Sequence, residues 1–276
     1  MNPSIPAKTY RPTSVRGLRT IGALGSVLAF TILGASILLR LSTHFGVDGI
    51  PQSNLPLEYE NAIRMVHRLS ASSLGLLALV AAIFCWIRRS SLPQAVQPVV
   101  WMVAATVLLA LIGPLTPGYR YSSVTIANVV AGTVLLAACW WLREALSTTA
   151  PITLTQRPII RVTLAIFVLH VSLGAASSDS QMRGIHWVAF VHSGSAMLTA
   201  LLLGSILWDH RKNAQSARMV VAMACLLAIQ LVLGLVSIWM AARPIGLDFV
   251  HAMLSPLLLA GLVSLNLKDG LQENSL

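Results

Sequence analysis

Long apolar runs recur along the whole chain and alternate with short polar segments. A helix needs about 20 predominantly apolar residues to cross the hydrocarbon core of a bilayer. The pattern predicts an all-α polytopic membrane protein with eight transmembrane helices, so any chemistry lies between helices or at the membrane surface. The predicted spans are residues 20–41, 61–87, 97–115, 121–142, 158–177, 185–208, 218–241 and 245–267.

The composition agrees with this prediction and excludes an ordinary soluble enzyme. Of the 276 residues, 56% are hydrophobic and 10% are charged, and the mean hydropathy is +0.76. Soluble globular domains have about 45–50% apolar and about 25% charged residues. Eight spans use most of the chain and leave no room for a separate soluble domain.

The net charge of +10 is explained by membrane topology, and we expect no nucleic-acid partner. The predicted spans place 13 of the 19 basic residues on the side of the N-terminus. The positive-inside rule then puts both termini in the cytoplasm, in the plasma membrane of a bacterium. Residues 1–19 are interpreted as a cytoplasmic tail with no removable signal peptide, 143–157 as a cytoplasmic linker and 268–276 as a second tail. The six basic residues on the other side are Arg40, Arg64, Arg68, Arg120, Arg183 and Arg243.

The even-numbered spans share a polar residue about seven positions from their outer end. These residues are His67, Asn128, His192 and His251. At 1.5 Å per residue they lie at a common depth of about 10 Å. Asn128 follows His67 by 61 residues and His251 follows His192 by 59. The spacing predicts a four-helix unit used twice, over 20–142 and 158–267.

The odd-numbered spans carry a glycine near their outer end. Gly34, Gly174 and Gly234 follow this pattern, and glycine suits either a close helix crossing or an approaching flat ligand. His170 and Gln230 each precede such a glycine by four residues. We interpret both as polar contacts between helices or as residues that support a ligand.

Two imidazoles that project inward from facing helices can ligate a heme iron from both sides. The complete pair is His192 with His251, and small residues beside them leave room for a planar ring. A hydrogen bond to a neighbouring helix is the alternative role for a single intramembrane histidine. Zinc is less favoured because no carboxylate or thiolate lies nearby. Arg183 and Arg243 follow the glycine-bearing spans and are candidates for pairing with heme propionates, or for snorkelling to the interface.

These residues resemble the heme A synthase family, which acts in cytochrome oxidase assembly. The resemblance is carried by the two four-helix halves, the histidines of the even spans, the His67-Arg68 step, and the glycine patterns around Gly174 and Gly234. It implies that His192 and His251 hold a heme b cofactor. It also implies that His67 flanks a site where the ring methyl group of heme o is oxidised to a formyl group. The implied partners are heme, a heme o-producing enzyme and oxidase assembly factors.

The first half departs from the family pattern. Asn128 stands where the family has a second substrate-site histidine, and Arg64 stands where it has a glutamate. Glu60 lies seven residues before His67 on the same helical face, so we take His67 and Glu60 as the candidate catalytic residues. The alternatives are a heme b-binding protein without turnover, a membrane electron carrier and a transporter built from repeats.

Overall fold

The structure, a computed structural model, describes residues 12–45, 51–116, 122–147, 158–182, 187–212, 217–240 and 244–273. Its long helices are α1 (Pro12–Leu41), α2 (Leu57–Arg88), α3 (Pro93–Ile112), α4 (Ser122–Ala145), α5 (Pro158–Met182), α6 (Trp187–His210), α7 (Ala217–Trp239) and α8 (Ile245–Glu273). All eight are long and apolar enough to cross a membrane. The prediction of an all-α polytopic membrane protein is therefore confirmed.

Several helices are longer than the predicted spans. α1 begins at Pro12, inside the predicted tail, and α8 continues to Glu273. Proline suits the first position of a helix because its missing N–H would have no partner there. α3 and α5 also begin at a proline, Pro93 and Pro158. α1 carries Arg16 and Arg19 exposed while Leu18 is buried, so a basic segment at the membrane surface continues the helix.

Each half of the chain closes into a ring of four helices. In the first half α1 contacts α2, α2 contacts α3, α3 contacts α4, and α4 returns to α1. In the second half α5, α6, α7 and α8 repeat the same sequence of contacts. The halves meet through α4 with α8, α4 with α5, and α1 with α8. If α1 is exchanged with α5 and α4 with α8, the same three contacts result. This is the pattern of a pseudo-two-fold axis between α4 and α8.

Three helices at this interface, α1, α4 and α8, are the most buried. In α8, 67% of the most apolar stretch is buried, against 22% in α6 and 17% in α7. Leu258, Leu262 and Leu265 of α8 are fully enclosed. α6 and α7 therefore form an outer wall whose apolar side chains face the membrane.

A short β-hairpin follows α1, which the hydrophobic pattern did not predict. Its strands are β1 (Thr43–Phe45) and β2 (Pro51–Ser53), and they pair antiparallel with Thr43 opposite Ser53. The backbone N–H of Asn54 donates to the carbonyl of Ser42 at 2.8 Å. The hairpin returns the chain toward the end of α1 before α2 begins.

Gly22 sets the distance between α1 and α4. A Cβ at this position would lie 2.7 Å from the backbone nitrogen of Arg143 and 2.9 Å from the carbonyl oxygen of Cys139. Backbone atoms cannot move aside as a flexible side chain can. The two helices can therefore approach this closely only while residue 22 has no side chain.

We predict that Gly22→Ala destabilises the protein by about 1–3 kcal/mol, the usual cost of overpacking. Gly17→Ala is the matched control in the same helix, because a Cβ there meets nothing within 4 Å. The measurement is the temperature at which a maleimide dye labels buried Cys139 in detergent, with Cys85 and exposed Cys225 replaced by serine in both variants. Equal labelling temperatures for the two variants would contradict this account of the α1–α4 contact.

Candidate functional site

The ring of His192 in α6 lies directly against Gly174 of α5. A Cβ on Gly174 would come within 3.0 Å of Cε1 of His192, and within 3.5 Å of Nδ1. Any larger residue at 174 would therefore displace the ring or the helix. The glycine of α5 provides the space that the imidazole occupies.

The second histidine of the pair is placed in the same way. His251 in α8 lies against Gly234 of α7, where a Cβ would come within 3.2 Å of Cε1 of His251. Both histidines of the second half are thus in contact with the glycine of the preceding odd-numbered helix. We call these the two histidine–glycine contacts, Gly174–His192 and Gly234–His251.

His170, four residues before Gly174, supports the first histidine–glycine contact. It is buried, and its ring stacks on that of His192 with centroids 4.5 Å apart and planes inclined by 10°. Its Nδ1 lies 2.9 Å from Oγ of Ser195. Because the Ser195 hydroxyl donates to the carbonyl oxygen of His192 at 2.7 Å, His170 is the donor to Ser195 through Nδ1–H.

Gln230, four residues before Gly234, supports the second contact. It is buried, and its Nε2 donates to Oγ of Ser255 in α8 at 2.9 Å. In both helix pairs, a polar side chain before the glycine bonds a serine that follows the histidine. The interpretation of His170 and Gln230 as polar contacts between helices is confirmed. The two serine partners were not predicted, although their spacing from His192 and His251 is the signal that would have found them.

The two histidine–glycine contacts lie in neighbouring helix pairs, α5–α6 and α7–α8, which contact each other through α6 with α7 and α5 with α8. Nδ1 of His192 is buried and finds no hydrogen-bond partner among the described residues. The described residues of this region therefore offer a ligand imidazole nitrogens, and they form no larger cluster of metal-binding side chains.

This donor set fits a heme better than a free metal ion. No group of three or more His, Cys, Asp or Glu side chains within the described ranges is arranged to hold a metal ion. A heme iron takes at most two axial ligands from the protein, because the macrocycle supplies the other four. Two glycine-backed histidines and a buried ring nitrogen without a partner suit that requirement. Arg183 and Arg243, the predicted propionate partners, lie outside the described residues.

The candidate catalytic residues of the first half, His67 and Glu60, do not form contacts like those of His192 and His251. His67 is half-buried in α2. Glu60 accepts a hydrogen bond from Nε of Arg64 at 2.9 Å, as an ion pair one turn apart on the same helix. The carboxylate that we assigned to catalysis is therefore already held by a neighbouring guanidinium.

Asn128 lines a small cavity of about 20 Å³ between α1, α3 and α4. Ser36 and Leu109 contribute to this cavity, and His67 does not. The space suffices for about one water molecule and does not fit a macrocycle. Gly34, the counterpart of Gly174, approaches Met253 and Phe249 of α8 instead of a histidine. The structure thus brings together the histidines of the second half and shows no equivalent arrangement at Asn128.

Comparison with known proteins adds no relative: no family model matches the chain, and no curated protein matches it either. The functional argument therefore depends on the residues themselves.

We predict that Ser195→Ala lowers stability by about 1–3 kcal/mol, because it leaves the buried Nδ1–H of His170 without an acceptor. Ser193→Ala is the matched control, since Ser193 is exposed and bonds only its own helix, at Ala189. Thermal unfolding followed by tryptophan fluorescence compares the two. If both variants unfold at the wild-type temperature, the bond between His170 and Ser195 does not stabilise the α5–α6 pair.

Proposed function

We propose that this protein is a heme-binding membrane protein of the heme A synthase type. Its second half holds heme b through His192 and His251, and it oxidises the methyl group of heme o to a formyl group in heme a biosynthesis. The observation that carries the proposal is the pair of histidine–glycine contacts in α5–α8. If these histidines only formed hydrogen bonds between helices, nothing would require the same contact to recur at the same depth in the second helix pair.

The chain's own residues bind and orient the ring in this proposal. His192 and His251 would hold the heme iron, and Gly174 and Gly234 leave space for their imidazoles. His170 holds the imidazole of His192 in place by stacking on it. Ligand orientation fixed by neighbouring groups is a general feature of metal centres, because it sets ring position and basicity.

The proposed reaction converts a methyl group and one water into a formyl group and releases four protons and four electrons, and an external electron acceptor must take up the electrons. Heme b supplies one-electron redox chemistry when bound, and the protein supplies binding and orientation. His67 offers one imidazole to the substrate heme. Arg183 and Arg243 follow α5 and α7 in the chain and are the proposed partners of the propionates.

The proposed setting follows the distribution of basic residues. With both termini in the cytoplasm of a bacterium, the histidines lie toward the outer face of the plasma membrane. A heme o-producing enzyme would supply the substrate, and oxidase assembly factors would receive the product. These partners are the ones that the resemblance to the heme A synthase family implies.

A second candidate function is heme b binding without turnover, as a paralogue of the enzyme or a membrane electron carrier. The ion pair between Glu60 and Arg64 favours it, because it occupies the only carboxylate that we assigned to catalysis. The cavity of about 20 Å³ at Asn128 also favours it. Both observations concern the first half, and neither affects heme b binding in the second.

The test is chromatographic identification of the hemes in the detergent-purified protein and in three histidine variants. We expect His192→Ala and His251→Ala each to lose most of the bound heme b, because each removes an axial ligand. His67→Ala is the control and should keep heme b. Full retention in both second-half variants would exclude the assigned ligands.

The same extracts separate the two functions. Heme b with heme o, a hydroxylated intermediate or heme a indicates heme A synthase chemistry. Heme b alone indicates binding without turnover, and a colourless protein would contradict both functions.

A further inference from the structure

Three even-numbered helices end in the same short motif, a tryptophan followed three residues later by an arginine. The pairs are Trp86 with Arg89, Trp140 with Arg143, and Trp208 with Arg211. Each guanidinium lies over its tryptophan ring, at 4.7, 4.5 and 3.5 Å from the ring centroid respectively. Because eight helices cross the membrane, the ends of α2, α4 and α6 all lie on the side that carries both termini.

The pair in α4 is used in internal packing. Trp140 donates through Nε1 to Oγ of Ser264 in α8 at 2.7 Å, and Arg143 pairs with Glu144 at 2.9 Å. Trp208 in α6 is instead 64% exposed. No carboxylate of the described residues forms an ion pair with Arg211. One guanidinium nitrogen of Arg211 donates to the backbone carbonyl of Trp208, and because the side chain is exposed its remaining N–H groups are available to an external anion.

Arg211 lies at the end of a groove between α6 and α7, which we call the α6–α7 groove. Its volume is about 380 Å³, and Trp208 and Arg211 line one end. The rest of the lining is apolar and includes Gly204, Leu207, Ala224, Leu227 and Leu231. On α7 the lining runs from Val220 to Leu231, which is about 16 Å of helix at 1.5 Å per residue. That length is about half of a hydrocarbon core of about 30 Å, so the groove is one leaflet deep.

We propose that the α6–α7 groove is a binding site for an anionic phospholipid of the leaflet on the side of the termini. One acyl chain lies along the apolar lining, and the phosphate pairs with the guanidinium of Arg211. Arginine suits this role because its planar fork matches phosphate oxygens. Basic pockets between transmembrane helices are known to take anionic headgroups. Exposed Lys212 and Arg218 at the same end add positive charge.

The charge at one end distinguishes this groove from an ordinary lipid-facing surface. An apolar face without a cation would accept any acyl chain and show no headgroup preference. The ring of Trp208 holds the guanidinium of Arg211 at the groove end, and hence at headgroup depth. The site lies at the opposite end of α6 from His192 and does not depend on heme.

The experiment measures quenching of Trp208 fluorescence by brominated phospholipids in the full-length detergent-purified protein. Subtracting the signal of Trp208→Phe isolates the tryptophan of the groove. We expect phosphatidylglycerol to reach half-maximal quenching at about fivefold lower mole fraction than phosphatidylcholine. Arg211→Gln should remove that preference, whereas Arg89→Gln, the same motif in α2, should leave it unchanged.

A second variant tests the apolar lining of the groove without changing the charge at its end. Gly204→Leu fills the groove, and a Cβ at this glycine meets nothing within 4 Å, so the helix should tolerate it. We expect it to weaken phosphatidylglycerol quenching while Arg211 remains in place. Equal quenching by the two lipids in the wild type would overturn the proposal. Equal loss of preference in Arg89→Gln and Arg211→Gln would also overturn it, since it would indicate general interfacial attraction.

Discussion

The contact between a histidine ring and a glycine on the neighbouring helix is the constraint on which the candidate site depends. In the second half it occurs twice, and a Cβ at either glycine would come within 3.0 or 3.2 Å of an imidazole carbon. The helices of each pair can therefore hold a half-buried imidazole between them only while the glycine has no side chain. Hydrogen bonds from His170 and Gln230 to serines then fix the register of each pair. The glycine of each contact thus determines both how closely the two helices pack and where the nitrogens of the imidazole lie.

The two halves share a helix arrangement but use their glycines differently. Gly34 approaches Met253 and Phe249 across the interface between the halves, so it serves packing and does not contact a histidine. The corresponding region of the first half contains Asn128, a cavity for about one water, and an ion pair between Glu60 and Arg64. Among the described residues, the repeated helix arrangement therefore carries histidine–glycine contacts in the second half and none at Gly34 in the first. In the proposed function, heme b binding therefore depends on the second half and turnover on the first.

The helices were predictable from the sequence because apolar runs of this length have few other stable structures. The start of α1 at Pro12 and the pairing of β1 with β2 were not predictable. Both lie in polar segments, where backbone hydrogen bonds form without an apolar pattern that marks them. The glycines and the polar residues four positions earlier were found by their spacing. The partners Ser195 and Ser255 were missed because a serine in a helix commonly bonds its own backbone. The stacking of Arg211 on Trp208 was not predictable, because tryptophan and arginine are both common at the membrane interface whatever they contact.

We propose that two imidazoles of the second half ligate one heme b iron. The most direct test is the low-temperature electron paramagnetic resonance spectrum of the oxidised purified protein. Ligation by both His192 and His251 predicts a low-spin ferric signal, which either single alanine variant should convert or abolish. A high-spin signal in the wild type would show that only one axial position is filled by a strong ligand, and it would contradict the account.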